Sequence, residues 1–408
     1  MAKKLFPENR LIPAAAFGLW GAMLLTGSGV SANEISGHVA SQTRLFTQVP
    51  DHQGQQQNDA SASVNLEYYR DWDGGNQRIA FSGFSRYDDN DSERTHSDIR
   101  ELYYWQSFDS FELYAGARQV FWGVAETVHL VDIINQDDAI ENIDGEDKLG
   151  QPMVSVLVER DWGTLEAFAL LGFRERTFAG EKGRLRPQWQ IDTENALYQS
   201  SAGRQHLDFA LRWSQVFGDW DVGISHFAGT SRDPLFIPTQ SGDQETTLTP
   251  FYAQIQQTGM DVQATLGDWA LKLEAISVHE KSAGRNTALV SGFEYTLFGI
   301  VGTDADLGLL MEYQFDDRSG IRQRSSQNDL AFGVRYTLND VEGTELLFAL
   351  SQDLDNSSRF YSLEASRRLN NYWTVNAEVR LFSNMDANDP GVDLRNDDYF
   401  ELEIRRYF

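Results

Sequence analysis

Between Glu126 and Lys148 the chain carries Glu126, Asp132, Asp137, Asp138, Glu141, Asp144, Glu146 and Asp147 against a single ammonium, Lys148. Such an excess of carboxylates beside a water-filled opening with low-dielectric walls would concentrate cations and repel anions. Val128, Leu130, Val131, Ile133 and Ile134 are interleaved with the acids. Part of the stretch is therefore expected to pack, although a solvated outer loop fits the same composition. Further on the sign reverses, with Arg174, Arg176, Lys182, Arg184 and Arg186 against Glu175 and Glu181. Facing a lumen, this basic loop would guide a carboxylate or an acidic sugar. Facing outward it would meet the phosphates of lipopolysaccharide, and a solvated loop balancing its acidic neighbour is the plainer reading. The run Asp144-Gly145-Glu146-Asp147 offers oxygens to calcium but lacks the spaced ligands of an EF-hand loop, so no metal site is expected.

Catalytic patterns are not found. The seven histidines are scattered, without His-Glu-x-x-His spacing, and there is no Gly-x-Ser-x-Gly elbow or glycine-rich phosphate loop. Ser225 and His226 are adjacent, and neighbours on a strand point to opposite faces. The expectation is no enzyme, no catalytic residue and no cofactor. The absence of cysteine removes disulfide and thiolate chemistry. A formal charge of −27 argues against nucleic acid, whose phosphates need clustered Lys and Arg.

The elements that must position these loops read as strands. Val64, Leu66 and Tyr68 alternate with Asn65, Glu67 and Tyr69. Leu207 to Trp213, Trp269 to Ala275, Leu330 to Leu338 and Trp373 to Leu381 alternate likewise. Segments of about ten residues with one apolar and one polar face are the signal of a transmembrane barrel. Connections alternate between short ones rich in Gly, Asn and Asp (71–75, 107–108, 161–163, 218–219, 267–268, 339–343, 370–371) and longer ones near 50–59, 88–95, 119–150, 174–203, 230–252, 316–327 and 383–396. The fold expected is an all-β, antiparallel up-and-down transmembrane barrel. It has about 18 strands, or 16 if an indistinct hairpin at 298–305 or 354–357 is merged, and its 119–150 loop folds inward. Glu112, Glu159, Glu166, Lys272, Glu294, Glu312, Arg335, Glu378 and Arg380 all take the lumen phase. Arg367 and Arg406 are exceptions near the short-turn side, where a charge facing lipid costs little. Trp72, Trp162, Trp220, Trp269 and Trp373 lie beside short turns, where an interfacial girdle belongs.

At the start, Lys3, Lys4 and Arg10 precede an apolar run from Leu11 to Leu25, and Val30-Ser31-Ala32 supplies small residues for cleavage. This predicts a signal peptide over 1–32 and a barrel over 33–408. From Phe400 the apolar Phe400, Leu402, Ile404 and Phe408 alternate with polar residues. The pattern resembles the recognition strand of Gram-negative outer-membrane barrels, which implies the barrel-insertion machinery as a partner. Gly116-Ala117-Arg118-Gln119-Val120-Phe121-Trp122-Gly123 partly resembles the Gly-Arg-Gln signature of alginate-export-type porins and related proteobacterial porins, with Ala117 interrupting the pattern. That resemblance implies an outer-membrane channel for small polar or charged solutes, in contact with membrane lipid and lipopolysaccharide. Glu126, Asp132, Asp137, Asp138 and Glu141 would oppose Arg118 and the basic cluster at its constriction. The alternative is an export conduit or assembly component for an anionic polymer or lipid, working with a periplasmic or inner-membrane partner. Solute identity and homo-oligomerisation stay open.

Overall fold

The computed structural model describes residues 33–240 and 246–408. The expected signal peptide lies outside the described residues. Eighteen strands form one closed antiparallel sheet. In order they are β1 (Asn33–Phe46), β2 (Asn58–Trp72), β3 (Gln77–Asp88), β4 (His96–Ser107), β5 (Glu112–Arg118), β6 (Gln151–Arg160), β7 (Gly163–Leu171), β9 (Leu207–Phe217), β10 (Trp220–Thr230) and β13 (Gln254–Leu266). The ring continues through β14 (Trp269–Glu280), β15 (Gly284–Leu297), β16 (Asp306–Asp316), β17 (Asn328–Thr337), β18 (Glu345–Asp353), β19 (Arg359–Asn370), β20 (Trp373–Ser383) and β21 (Tyr399–Tyr407). Each pairs with its neighbour in this order, and β21 pairs back onto β1 from His38↔Tyr407 to Phe46↔Tyr399. Closure leaves no unpaired edge, which a spanning sheet requires where no water can satisfy its backbone. The remaining strands, β8 (Leu197–Tyr198), β11 (Leu235–Gln240) and β12 (Thr246–Tyr252), form a small separate sheet in two of the long loops.

Alternation sorts the two faces as the sequence predicts. Phe209 is 52% exposed while its strand neighbours Asp208 and Ala210 are buried. Leu402 and Ile404 face out while Glu403 is buried. Arg367, on the outer face, reaches Asp340 at 3.2 Å in the adjacent short turn, which brings its charge to the membrane edge. The 298–305 connection is a short-side turn and 354–358 a long-side one, so the count is 18 rather than 16. Trp162, Trp220, Trp269 and Trp373 stay exposed beside the short turns, as a girdle would.

The lumen departs from an open polar tube. Residues 119–150, between β5 and β6, turn inward. Trp122, Val131, Ile133 and Ile134 pack there against Met153, Phe168, Leu170, Ala210, Phe227, Ile255, Ile276 and Ala288 of the wall. The wall residues take the lumen phase, so this part of the inner surface is apolar to match the loop. Burying side chains of this size contributes roughly 1.5–3 kcal/mol each. The apolar interior therefore fixes the loop as a core fixes a helix.

Candidate channel constriction

Two glycines launch the loop. Gly116 has φ +138° on β5, and a Cβ there would lie 2.2 Å from the Leu102 carbonyl oxygen. Gly123 has φ +131°, and a Cβ there would lie 2.7 Å from Glu274 Oε1. Both positions favour glycine for backbone and space alike. Asn135 then joins the loop's two ends. Its Oδ1 accepts from Val120 N at 2.9 Å, and its Nδ2 donates to the carbonyls of Arg118 (2.9 Å) and Leu149 (2.8 Å).

Two wall carboxylates hold the loop across the lumen. Glu274 of β14 is buried and accepts from the amides of Val124 (2.7 Å), Ala125 (2.9 Å) and Val131 (3.2 Å). Glu312 of β16 is also buried, and accepts from the amides of Glu126 (2.8 Å) and Thr127 (2.9 Å) and from the Thr127 hydroxyl. A coil inside a barrel has no ladder to satisfy its N–H groups, and carboxyl oxygens on the wall supply what a neighbouring strand would.

Each residue expected at the constriction lies in or beside this loop, but most of the acids are paired rather than open to water. Glu126 lies between Lys272 (3.2 Å) and Arg335. Asp132 meets Lys148 at 3.0 Å, and Asp137 meets Lys148 at 2.7 Å together with Arg176. Asp138 accepts from Arg100, Thr177 and His96, and Glu141 pairs with Arg86 at 2.8 Å. Arg118 bonds Glu166 at 2.7 Å and Ser155 at 3.1 Å, and stacks 3.9 Å from the Tyr114 ring centroid. The basic loop shares in the same scheme. Arg174 reaches Asp98 at 2.7 Å, Arg176 joins Asp137 and Asp233, and Arg184 is buried against Asp397 at 2.6 Å. Arg186 donates to the Pro187 carbonyl at 3.1 Å, and Lys182 is exposed. The acidic and basic stretches thus pack on each other in part, through Arg176–Asp137 and Thr177–Asp138, instead of facing across water.

The acids that keep access to the remaining lumen are others. Asp144 and Asp147 are exposed at the loop's far side, with the part-exposed Glu364 of β19 on the wall. Arg380 of β20 sits among Asp144 (3.3 Å), Glu364 (2.8 Å) and Glu378 (3.0 Å). Ligand oxygens of those three acids come within 4.8 Å of one another, the spacing of a metal site. The guanidinium already supplies the positive charge there. Leu347, Ala349 and Ser351 of β18, on the lumen phase beside Glu364, are only partly buried. The exposed acids of the 144–147 segment thus face the partly buried wall of β18–β20. Enclosure within the barrel pushes the Asp144 carboxyl up to about 7, with the charge of Asp147 adding to it. Asp147 is raised to about 6, by enclosure first and then by Glu141. The alternation already marked Glu312, Glu378 and Arg380 as lumen-facing, whereas Glu364 was not singled out. That Glu274 and Glu312 tie down a loop more than a hundred residues away has no local signature.

Ser225 and His226 point apart, the serine buried toward the lumen and the imidazole bonded to Thr258 at 2.9 Å on the outer face.

No protein-family model and no curated protein matches the chain. Solved structures do. A BenF-like porin from Pseudomonas fluorescens aligns over 93% of this chain and 98% of its own, at 10% identity and TM-score 0.54. OccK8 (OprE) of Pseudomonas aeruginosa aligns over 92% and 97%, at 11% identity and TM-score 0.50. Wzi of Escherichia coli, described as an outer-membrane protein involved in group 1 capsule assembly and a carbohydrate-binding β-barrel, aligns over 90% and 84%, at 9% identity and TM-score 0.53. The closed ring, its apolar outer face and these likenesses define the class by fold: a closed antiparallel β-barrel of the kind seen in outer-membrane porins. Within that class the chain is an 18-stranded barrel with an inward-folded third long loop.

Proposed function

We propose that the protein is a passive channel for small polar or charged solutes, with its aperture set by loop 119–150. The observation that supports this reading is the fastening of that loop across the lumen by Glu274 and Glu312, with Asp144 and Asp147 left exposed on its far side toward β18–β20. Selectivity then rests on Asp144, Asp147 and Glu364 against Arg380, because the other loop acids are already balanced by cations. Together these four groups carry a net negative charge, so a modest preference for cations follows. Single-channel recording under a salt gradient tests this. A steady conductance is expected, with a reversal potential of cationic sign that shrinks in Asp144→Asn/Asp147→Asn. Absence of conductance from folded protein would sink the channel reading. Unchanged selectivity in the double variant would remove these acids from it.

A further inference from the structure

On the outer side of the barrel a cleft of about 410 Å³ opens between three long loops. It is lined by Asp51 and His52 of the β1–β2 loop, Gln188 and Trp189 of the basic loop, and Asp393 and Arg395 of the β20–β21 loop. Its walls are fixed in advance. Arg184, 1% exposed, bonds Asp397 at 2.6 Å and the Asn396 carbonyl at 2.8 Å, and Leu185 N donates to Asp397 at 3.0 Å. Asn396 Nδ2 donates to both carboxylate oxygens of Asp51 at 3.0 Å, and Gln188 N donates to Asp393 Oδ2 at 2.9 Å. Basic loop and flanking loops are thereby joined into one piece, and sites that bind small molecules are usually built before the ligand arrives.

What the cleft leaves uncommitted indicates its ligand. Trp189 is 43% exposed. Its indole N–H, the His52 ring and the Gln188 side-chain amide have no hydrogen-bond partner among the described residues. Arg395 uses one nitrogen on the Val392 carbonyl at 2.9 Å and, more loosely, on Asp393 Oδ1 at 4.0 Å, which leaves its other nitrogens to the cleft. One flat aromatic face is thus surrounded by planar groups that donate and accept hydrogen bonds, and no other apolar side chain lines the space. An apolar ligand would leave those polar groups dry, which is costly. A polyanion would meet Asp51 and Asp393 against the single Arg395. The molecule that matches has an apolar C–H face on one side and hydroxyls around its rim. We propose that this cleft binds a neutral saccharide, with a sugar ring stacked on Trp189 and its hydroxyls shared among Gln188, His52, Asp393 and Arg395. The volume lies in the range of small-molecule sites, roughly 300–1,000 Å³, and accommodates about two sugar rings. The site does not depend on whether the lumen conducts.

Two sources present this chemistry: a free oligosaccharide approaching the barrel, and the sugar core of a neighbouring envelope glycolipid. Calorimetric titration of the full barrel in detergent with hexamers of glucose, galactose and mannose tests the first. Binding to vesicles of lipopolysaccharide with complete or truncated core tests the second. At least one of these sugars is expected to bind, with affinity falling about tenfold or more in Trp189→Ala, the scale of losing an aromatic anchor. Asp393→Asn is expected to weaken it as well. Circular dichroism and the heat-dependent gel shift of barrels establish that both variants are folded. Binding of a free hexamer assigns the site to solute capture. Binding only to vesicles with complete core assigns it to the envelope. The proposal is overturned if no probe binds, if polygalacturonate binds more tightly than every neutral sugar, or if folded Trp189→Ala binds like the unsubstituted protein.

Discussion

Replacing Glu274 with alanine removes the acceptor of three loop amides, those of Val124, Ala125 and Val131. A hydrogen bond to an ionised group contributes about 1.5–3 kcal/mol, but three sharing one carboxylate do not add in full, and lumen water can reach part of the vacated space. A net loss of about 3–5 kcal/mol is the scale of breaking one side of a buried charged contact. That shifts the detached population of segment 123–131 upward by roughly a hundred- to a few thousand-fold. Segment 137–150 stays fastened through Arg86, Arg100 and Arg176, so the loop should loosen on the β14–β16 side without leaving the barrel. In planar bilayers the expected readout is a larger single-channel conductance, more open-channel noise and entry of larger neutral polymers. Glu274→Gln should fall between, because it keeps the shape but turns one oxygen into a donor facing an amide N–H. If conductance, noise and exclusion limit are unchanged in both Glu274→Ala and Glu274→Ala/Glu312→Ala, the loop does not set the aperture.

A second test concerns pH. Burial opposes a charge on His129, but its hydrogen bond to Glu146 and the charges of Glu146, Glu274 and Asp132 outweigh this and raise it to about 9. The folded value lies above the ordinary 6.5, so the stabilisation is complete below that pH and disappears as pH climbs through about 9. Protection factors of the amides of residues 126–131, corrected for the intrinsic base-catalysed rate, should therefore fall between pH 7 and 10, and much less so in His129→Gln. For the outer cap, Arg184→Ala should leave Asp397 buried without its partner, at a cost of about 3–5 kcal/mol. Limited proteolysis within 180–190 should then accelerate while the barrel itself survives. Unchanged cleavage would show that the ion pair does not hold that loop.

Most of the architecture was legible from one regularity. Phe400, Leu402 and Ile404 set a phase that the strands at 373–381, 330–338, 269–275, 207–213 and 64–69 repeat, because lipid on one side selects for that alternation. The inward loop was only half legible: Val131, Ile133 and Ile134 suggested packing, but a solvated outer loop fitted the same stretch until these residues were seen against the wall. Its chemistry was harder to read. Asp132, Asp137, Asp138 and Glu141 looked like pore-facing charge because their partners, Lys148, Arg176, Arg100 and Arg86, come largely from distant parts of the chain. Conversely Asp144 and Asp147 looked like part of the same acidic run, and only their place opposite β18 to β20 separates them. Loop acids are sorted by what they meet in three dimensions, and spacing along the chain says little about that.

The ladder between β1 and β21 has a bearing on how such a molecule comes into being and how long it lasts. Its nine residue pairs, His38↔Tyr407 to Phe46↔Tyr399, unite segments separated by most of the chain. The entropy of drawing such distant ends together grows only logarithmically, about 5 kcal/mol for a loop of this length. Backbone groups left unpaired in hydrocarbon cost several kcal/mol each, so shutting the ring is strongly downhill once both margins are inside the bilayer. Time, rather than equilibrium, is the difficulty: one margin must wait, exposed and adhesive, until the other has been delivered. The same arithmetic run backwards makes opening a rare event, and the finished ring should outlast many generations of the soluble proteins around it.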